Sequence, residues 1–322
     1  MNKIKTLVLI TLTDTEKKHF TQFNDRLDIS FKDIKEVPIM REDIEDAEII
    51  IGYPPKKFLE TAKNLKWLQV ISSGVDKYMR NGILPKNTII TNARGSYGEA
   101  QSEFMFSMLI ALIKKLHIYR DNQKQSKWQS EGDVMMLRGS TALVIGLGDI
   151  GGEFAKLLKA FGVYVIGVRR DATKPSQGAD EIHSFTKLDS LIPRADIIAM
   201  VIPASPETEN LMNSKRISMM KKGAVLVNTG RGVTVDNEAL CDAVESGHLA
   251  GAAIDVFNIE PIPMEHRIWE IENLLITPHV AGLDYMAHNW SHTLTLILEN
   301  LQLYCEGKEL RNKVDKSLYE FS

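Results

Sequence analysis

Three side chains suited to acid–base chemistry follow separate apolar runs of the sequence. Arg231 and His279 each come just after such a run, and Glu260 follows a third run, residues 251–255. An imidazole can donate a proton, a carboxylate can orient the imidazole, and a guanidinium can stabilise a developing negative charge. Beside a nicotinamide, the three groups form a complete set for carbonyl reduction. Singly, each also has an ordinary explanation, as a loop cation, a solvated turn residue or one histidine among 8.

A glycine-rich stretch in the middle of the chain reads ALVIGLGDIGG, residues 142–152. An amphipathic segment and a second apolar run follow it, which is the strand–turn–helix–strand context of a dinucleotide-binding turn. In such a turn Gly146 permits the tight bend, Gly148 lets the backbone approach a pyrophosphate, and Gly151 lets the helix pack on the strand. The N-terminus of that helix faces the phosphates. The residues predicted to bind a dinucleotide coenzyme here are Gly146, Gly148, Asp149, Ile150 and Gly151.

The second apolar run after this turn ends in two arginines. Arg169 stands where an NAD-binding site usually has an acid for the ribose hydroxyl, and Arg170 follows it. A guanidinium at this point suits a 2′-phosphate, so NADP is favoured over NAD. The alternative is that both arginines are solvated loop residues and that Asp171 serves the ribose.

Apolar runs of strand length alternate with amphipathic stretches along the chain, which is typical of parallel sheets with helices on both faces. The predicted fold class is α/β, and 322 residues indicate two domains. Open α/β sheets bind ligands at the carboxyl ends of their strands, so Arg231, Glu260 and His279 are expected to converge there. The runs predicted as strands are residues 5–10, 48–52, 67–71, 88–91, 142–146, 164–168, 197–201, 224–228, 251–255 and 274–277.

One long helix is predicted over residues 98–120, with apolar residues on more than one face. A helix of this kind must be covered on several sides. It is therefore either buried within one domain or part of an interface between two copies of the chain. If it forms such an interface, the protein is expected to be a homodimer.

Composition and charge exclude several classes of protein. With 44% hydrophobic and 25% charged residues, the chain is an ordinary folded protein. A net charge of -3 leaves no surplus of Lys and Arg for a nucleic-acid backbone. The 2 cysteines, Cys241 and Cys305, are too few for a disulfide framework, which favours a cytoplasmic setting. The most apolar stretch, 104–113, is about half the length that crosses a bilayer, so no membrane partner is expected, and no metal site is predicted.

The sequence resembles the D-isomer-specific 2-hydroxyacid dehydrogenase family over nearly its whole length, and it is similar to the glyoxylate/hydroxypyruvate reductase branch. The segments that carry the resemblance are SSGVD (72–76), TNARGSYGEAQSE (91–103), LRGSTALVIGLGDIGG (137–152), LIPRAD (191–196), VIPASPETENLM (201–212), MKKGAVLVNTGRGVTVDNEAL (220–240), GHLAGAAIDVFNIEPIP (247–263), ITPHVAG (276–282) and GKELRNKVD (307–315).

The resemblance implies two Rossmann-like or flavodoxin-like parallel-sheet domains. Residues 1–98 and 285–322 would form the substrate domain, and residues 99–284 would form a dinucleotide-binding domain inserted into it. It also implies an NAD(P)-dependent oxidoreductase that reduces a small 2-oxo acid to the D-2-hydroxy acid. An alternative is a coenzyme-sensing scaffold without enzymatic activity, like the corepressors that share this fold.

The resemblance further implies a role for each site residue. Arg231 binds the substrate carboxylate or polarises the 2-oxo oxygen, His279 donates the proton, and Glu260 bonds the far ring nitrogen of the histidine and favours its protonated form. The further residues expected to bind substrate are Tyr53, Ser73, Gly74 and Val75, the last three through a backbone turn. The further residues expected at the coenzyme are Pro203, Thr229 and Asp255.

Overall fold

The computed structural model describes residues 3–79, 83–282 and 287–319. In chain order, the strands are β1 (Ile4–Leu9), β2 (Leu27–Phe31), β3 (Ile49–Gly52), β4 (Trp67–Gln69), β5 (Ile89–Thr91), β6 (Thr141–Ile145), β7 (Tyr164–Val168), β8 (Glu181–His183), β9 (Ile197–Met200), β10 (Val225–Asn228), β11 (Gly251–Ile254) and β12 (Leu274–Ile276). The helices are α1 (Asp14–Phe20), α2 (Arg41–Glu45), α3 (Lys56–Leu59), α4 (Gly98–Ile113), α5 (Leu116–Lys124), α6 (Asp149–Ala160), α7 (Leu188–Leu191), α8 (Ser214–Ser218), α9 (Asn237–Glu245) and α10 (Ala287–Cys305). The chain divides into two compact units. The first unit is Met1–Ser96 with Asp284–Ser322, and the second is Tyr97–Leu283.

The first unit is built on a five-stranded parallel sheet in the order β2-β1-β3-β4-β5. The central strand β3 is buried along its whole length, as expected for a strand covered on both faces. On one face, Phe20 of α1 and Ile297 of α10 pack in the same core as Ile49. On the other face, Ile44 of α2 and Leu59 of α3 share the core. Helices therefore cover both sides of this sheet.

The second unit is built on a seven-stranded parallel sheet in the order β12-β11-β10-β9-β6-β7-β8. One face packs against α4 and α6, through buried residues such as Leu109 and Phe154. The other face packs against α7, α8 and α9, through residues such as Leu191, Ile217 and Leu240. The predicted α/β class, with two parallel-sheet domains, is confirmed.

Two strands, β2 and β8, were not predicted from the sequence. Each forms an edge of its sheet, and neither is fully buried. An edge strand can be partly exposed and so can carry polar residues. The sequences of β2 (LDISF) and β8 (EIH) contain such residues and therefore lack a continuous apolar run.

The single long helix predicted over residues 98–120 is wrong, because α4 ends at Ile113 and α5 begins at Leu116. Lys115 between them has a φ of 56°, and a left-handed residue interrupts the hydrogen-bond ladder of a right-handed helix. The side chain of Lys115 donates to the carbonyl oxygen of Glu131, which anchors the break to a later loop. Lys115 and Glu131 are 16 residues apart in sequence, so a prediction from local helix propensity could not include this hydrogen bond.

The second predicted domain boundary, between 284 and 285, falls in residues 283–286, which lie outside the described residues. The role of the first unit as the substrate domain stays a prediction. Within the described ranges, none of the helices combines the length and apolar character needed to cross a membrane. In those same ranges, no group of three or more His, Cys, Asp or Glu side chains is arranged to hold a metal ion.

Candidate active site

The carboxyl ends of all strands in the second unit lie along one edge of the sheet, because every pairing is parallel. The strand order reverses between β6 and β9, since β7 and β8 lie on one side of this point and β10 to β12 on the other. Ligands of open α/β sheets bind in the crevice at such a reversal. The glycine turn 146–148 follows β6 and Pro203 lies in the loop after β9, so both flank this crevice.

The glycine turn is shaped by contacts that exclude side chains. Gly146 has a φ of 102°, and a Cβ atom there would lie 2.3 Å from the carbonyl oxygen of Val201. A Cβ atom on Gly151 would lie 2.1 Å from the carbonyl oxygen of Gly146, so α6 packs directly on the turn. Among the described residues, none comes within 4 Å of the Cβ position of Gly148, and none caps the N-terminus of α6 with its side chain. The turn therefore fits a pyrophosphate. Asp149 and Ile150, which were also predicted to bind the coenzyme, are the first two residues of α6.

The two arginines expected to select the coenzyme follow β7. The backbone N–H of Arg169 donates to the carbonyl oxygen of His183 at 3.0 Å, which extends the pairing with β8, and Arg170 is exposed. The carboxylate of Asp171 accepts hydrogen bonds from the hydroxyl of Thr173 at 2.6 Å and from its backbone N–H at 3.2 Å. These bonds, the hydroxyl's first, hold the pKa of Asp171 below its usual range. Asp171 is thus engaged within its own turn.

The predicted acid–base pair is in direct contact. Nδ1 of His279 lies 2.8 Å from Oε2 of Glu260. The other carboxylate oxygen, Oε1, accepts a 2.8 Å hydrogen bond from the backbone N–H of Phe257, which fixes the carboxylate to its loop. The His279 and Glu260 side chains are 48% and 38% exposed, so the pair is open to a ligand. With Nδ1 facing the carboxylate, Nε2 is the ring nitrogen that can face a substrate.

His279 has a φ of 55°, in the left-handed region that a non-glycine residue occupies only where its surroundings hold it. Its backbone N–H donates to the carbonyl oxygens of Asp255 at 2.8 Å and Thr277 at 3.1 Å. The carboxylate of Asp255 accepts from the hydroxyl of Thr277 at 2.5 Å and from the N–H groups of Val280 at 2.9 Å and Ala281 at 3.0 Å. Asp255, predicted at the coenzyme, therefore clamps the loop that carries the histidine.

Arg231 lies between two glycines that bring its loop against the neighbouring loops. A Cβ atom on Gly230 would lie 2.8 Å from the backbone nitrogen of Ile202, after β9. A Cβ atom on Gly232 would lie 2.0 Å from the carbonyl carbon of Phe257, after β11. The Nη1 atom of Arg231 donates to the carbonyl oxygen of Gly230 at 2.7 Å. The fold thus brings the loop of Arg231 into contact with the loop that follows β11 and contains Glu260.

Gln101 of α4 also reaches this edge, although the sequence did not single it out. Its Nε2 donates at 3.1 Å to the carbonyl oxygen of Thr229, which directly follows β10. A Cβ atom on Gly282 would lie 3.0 Å from Oε1 of Gln101. Thr229 itself is buried, and its hydroxyl donates to Sδ of Met105. In the sequence Gln101 stands beside Glu99, Ser102 and Glu103 in the first turns of α4, so its residue type alone did not distinguish it.

In the first unit, the predicted turn Ser73, Gly74 and Val75 lies at the carboxyl edge of the sheet, after β4. The hydroxyl of Ser72 donates to the carbonyl oxygen of Gly74 at 2.7 Å. The side-chain amide of Asn92 donates to the carbonyl oxygen of Ser73 at 2.7 Å. Oγ of Ser73 is buried and has no hydrogen-bond partner among the described residues. The turn is therefore held from two sides.

Tyr53 follows β3 at the same edge of the first sheet. The ammonium of Lys77 lies 3.8 Å from the centroid of its ring and 5.1 Å from that of Tyr78. Tyr78 is buried, which raises the pKa of its hydroxyl, and that hydroxyl donates to the carbonyl oxygen of Pro54 at 3.2 Å. The segment after β3 is thus bonded to the segment that follows the turn.

A parallel sheet with a glycine turn at its strand-order reversal is the architecture of a dinucleotide-binding domain, and comparison with known proteins identifies the family. Residues 106–281 match the description "D-isomer specific 2-hydroxyacid dehydrogenase, NAD binding domain". The chain belongs to the D-isomer-specific 2-hydroxyacid dehydrogenase family. It is an oxidoreductase that acts on the CH–OH group of hydroxy acids with a nicotinamide coenzyme.

Individual proteins extend the similarity. The glyoxylate reductase of Thermofilum pendens is 31% identical over 270 residues, which are 79% of this chain and 79% of that protein. A D-isomer specific 2-hydroxyacid dehydrogenase family protein from Aeromonas salmonicida has 30% identity and a TM-score of 0.82, covering 98% of this chain and 100% of that one. A D-isomer specific 2-hydroxyacid dehydrogenase from Xanthobacter autotrophicus, in complex with NADPH and MES, has 25% identity and a TM-score of 0.81, covering 98% and 99%. The predicted family and enzyme class are confirmed.

Proposed function

We propose that this enzyme reduces a small 2-oxo acid to the D-2-hydroxy acid, with His279 as the general acid. The observation that carries the proposal is the 2.8 Å contact between His279 Nδ1 and Glu260 Oε2 at the carboxyl edge of a dinucleotide-binding sheet. The activity named for the Thermofilum pendens relative, glyoxylate reduction, supports a small substrate.

A nicotinamide coenzyme, when bound, supplies the hydride for such a reduction. Glu260 orients the imidazole through Nδ1, and His279 holds a proton at Nε2 and delivers it to the carbonyl oxygen of the substrate. Arg231 supplies a fixed positive charge that binds the carboxylate or stabilises the developing oxyanion. Asp255 keeps the histidine loop in its left-handed conformation. The chain's own contribution is thus proton delivery and charge stabilisation.

The remaining predicted residues are proposed to bind and align the two ligands. The N–H groups of residues 73–75 bind the substrate carboxylate, and Tyr53 lines the space for the substrate side chain. Pro203 packs on the nicotinamide and Thr229 lines the coenzyme cleft. The position of half-buried Tyr53 and of exposed Pro203 at the carboxyl edges of their sheets, and the hydrogen bonds that fix the turn, support these roles.

NADP is the proposed coenzyme, because Arg169 and Arg170 follow β7 and the carboxylate of Asp171 is engaged by Thr173. A homodimer and a cytoplasmic location are also proposed. The homodimer is supported by exposed apolar residues between α5 and β6, where Trp128 is 101% and Met136 67% exposed. The location is supported by two cysteines that are both free.

The test is a panel of 2-oxo acids assayed with NADPH and NADH, with His279→Ala beside the parent enzyme. The kcat of His279→Ala should fall by about a hundredfold or more, because general acid catalysis is typically worth that much, while the coenzyme Kd stays unchanged. His19→Ala, which removes an exposed histidine of α1, is the control and should keep parent activity.

Two results would contradict the proposal. Parent-like turnover in His279→Ala would remove the histidine from the mechanism. If no 2-oxo acid supported coenzyme oxidation, while coenzyme bound tightly and changed association with another protein, the coenzyme-sensing scaffold would replace the enzyme.

A further inference from the structure

One face of α4 contacts residues that directly follow two strands of the second sheet. Gln101, Met105 and Met108 stand at positions i, i+4 and i+7 of this helix and therefore share a face. The hydroxyl of Thr229, directly after β10, donates to Sδ of Met105 at 3.4 Å. The hydroxyl of Thr277, directly after β12, lies 3.7 Å from Sδ of Met108. The helix α4 thus supports two strand ends at once.

The two threonines stand close in sequence to the proposed catalytic residues. Thr229 precedes Arg231 by two positions, and Thr277 precedes His279 by two positions. The helix that supports them packs in the core of the second unit, where Leu109 is fully buried. A close-packed core resists displacement. The helix α4 is therefore a rigid support for the loops that carry the guanidinium and the imidazole.

Gln101 supplies the polar contact of this helix face. Its Nε2 donates at 3.1 Å to the carbonyl oxygen of Thr229. A Cβ atom on Gly282 would lie 3.0 Å from Oε1, so the amide has the segment after β10 on one side and the segment after β12 on the other. Thr229 is 2% exposed, so water has little access to replace the N–H group that Gln101 donates.

The turn from Asn228 to Arg231 is braced internally. The side-chain amide of Asn228 donates to the carbonyl oxygen of Arg231 at 3.2 Å, and its oxygen accepts from the backbone N–H of Gly230 at 3.0 Å. The hydroxyl of Thr234 donates to the same carbonyl oxygen of Arg231 at 2.6 Å. Because these bonds join the ends of the turn, a displacement of Thr229 within it also displaces Arg231.

We infer that Gln101 is a positioning residue, which fixes Arg231 for the reaction by holding the carbonyl group of Thr229. The inference rests on the proposed function, in which the guanidinium of Arg231 binds the substrate carboxylate or stabilises the oxyanion. A fixed charge stabilises a transition state only where the opposite charge develops, and a misplacement of about 1 Å can reduce the rate about a hundredfold. Gln101 therefore acts on the reaction through the arginine loop.

The first experiment removes the hydrogen-bond donor and keeps the shape of the side chain. Gln101→Met retains an unbranched side chain of similar length without an N–H group, and Gln101→Glu retains the shape with acceptors only. In both variants kcat/KM for glyoxylate, measured with NADPH and NADH, should fall about tenfold or more, because a hydrogen bond and the position of the charge are lost. The coenzyme Kd should change less than about threefold, because the turn that fits the pyrophosphate follows a different strand, β6.

A double-mutant cycle distinguishes positioning from a purely structural role. In Arg231→Ala there is no guanidinium to position, so adding Gln101→Met should change kcat/KM less than about twofold. If Gln101 only supported the fold, its replacement would reduce kcat/KM by the same factor in both backgrounds. Single-turnover measurements make the slow rates of the Arg231→Ala background accessible.

Gln22→Met is the matched control. The Nε2 atom of Gln22 also donates to a backbone carbonyl oxygen, that of His19 at 2.6 Å, but the residue belongs to the first unit. This variant should keep the kcat/KM of the parent. Urea unfolding of all variants shows whether each is folded, and Gln101→Glu provides a second reading if Gln101→Met does not fold.

The outcomes separate this inference from the function on which it rests. The role of Gln101 would be overturned, and 2-oxo acid reduction left standing, by a parent-like kcat/KM in both Gln101 variants or by an equal loss in the parent and Arg231→Ala backgrounds. A rise in the coenzyme Kd that accounts for the whole loss would overturn it as well. Absence of reduction by the parent enzyme with every 2-oxo acid and both coenzymes would instead overturn the proposed function itself.

Discussion

The backbone N–H of His279 donates a 2.8 Å hydrogen bond to the carbonyl oxygen of Asp255, so the strand end that holds the aspartate also holds the histidine. The carboxylate of Asp255 accepts two further backbone N–H groups from the same loop, those of Val280 and Ala281. With 1% of Asp255 exposed, these bonds are shielded from water. The position of the proposed acid is thus set by a buried carboxylate next to it.

Replacing Asp255 with Asn should reduce both stability and turnover. The amide puts an NH₂ group where a carboxylate oxygen accepts a backbone N–H, and an unmade buried hydrogen bond costs about 1–3 kcal/mol. Urea unfolding measures the loss of stability, and kcat measures the displacement of the histidine loop. Asp236→Asn is the control, because Asp236 caps α9 and Asn caps helices equally well. Equal stability of Asp255→Asn and the parent would contradict the clamp.

Two adjacent glycines of α6 should respond oppositely to alanine. In Gly151→Ala the new Cβ atom would lie 2.1 Å from the carbonyl oxygen of Gly146, so the helix must shift from the turn. The unfolding free energy should fall by about 1–3 kcal/mol, and coenzyme binding should weaken. In Gly152→Ala no described residue outside the helix's own backbone lies within 4 Å of the new atom, and stability should rise by about 0.5–1 kcal/mol. Urea unfolding and fluorescence titration with coenzyme measure both effects, and a harmless Gly151→Ala would show that the turn tolerates a side chain.

The coenzyme preference should depend on the two arginines after β7. In the double variant Arg169→Ala and Arg170→Ala, kcat/KM with NADPH should fall at least tenfold, because charge-assisted hydrogen bonds to a phosphate are lost. The value with NADH should change much less. Lys187→Ala removes an exposed positive charge elsewhere in the same unit and controls for overall electrostatics. Better use of NADH by the parent enzyme would contradict the preference.

Glu181 of β8 should make stability depend on acid pH. Its carboxylate accepts hydrogen bonds from Arg194, His183 and Tyr164, and these bonds, that of Arg194 first, lower its pKa to about 2. A pKa lower in the folded state than in the unfolded state gives stability at higher pH, which is lost as the pH falls from the ordinary glutamate range through about 2.

The difference in urea midpoint between the parent and Glu181→Gln should therefore be largest near neutral pH and should shrink towards pH about 2. Glu207→Gln, at an exposed loop position of the same unit, should show no such trend. A constant difference across the pH range would mean that Glu181 stabilises the sheet edge without its charge.

The sequence determined the features that local pattern encodes. Buried parallel strands need continuous apolar runs, so the central strands were visible in the sequence, as was the glycine spacing of the turn at Gly146. The order of motifs identified the family, and the rule that ligands bind at strand ends predicted that Arg231, Glu260 and His279 converge on one cofactor site. Strands β2 and β8 escaped because polar residues interrupt their apolar sequences, LDISF and EIH.

The tertiary structure alone decided how the residues at these strand ends are held. The clamp of Asp255 on Val280 connects positions 25 residues apart, and its donors are backbone N–H groups that carry no sequence signature. The left-handed φ of His279 lies in a loop whose next two residues, Val280 and Ala281, donate to the carboxylate of Asp255. The placement of Lys77 over Tyr53 depends on which strands are neighbours in the sheet. Side-chain direction and long-range pairing arise only when the chain is packed, because local propensity acts over a few residues and these contacts span many.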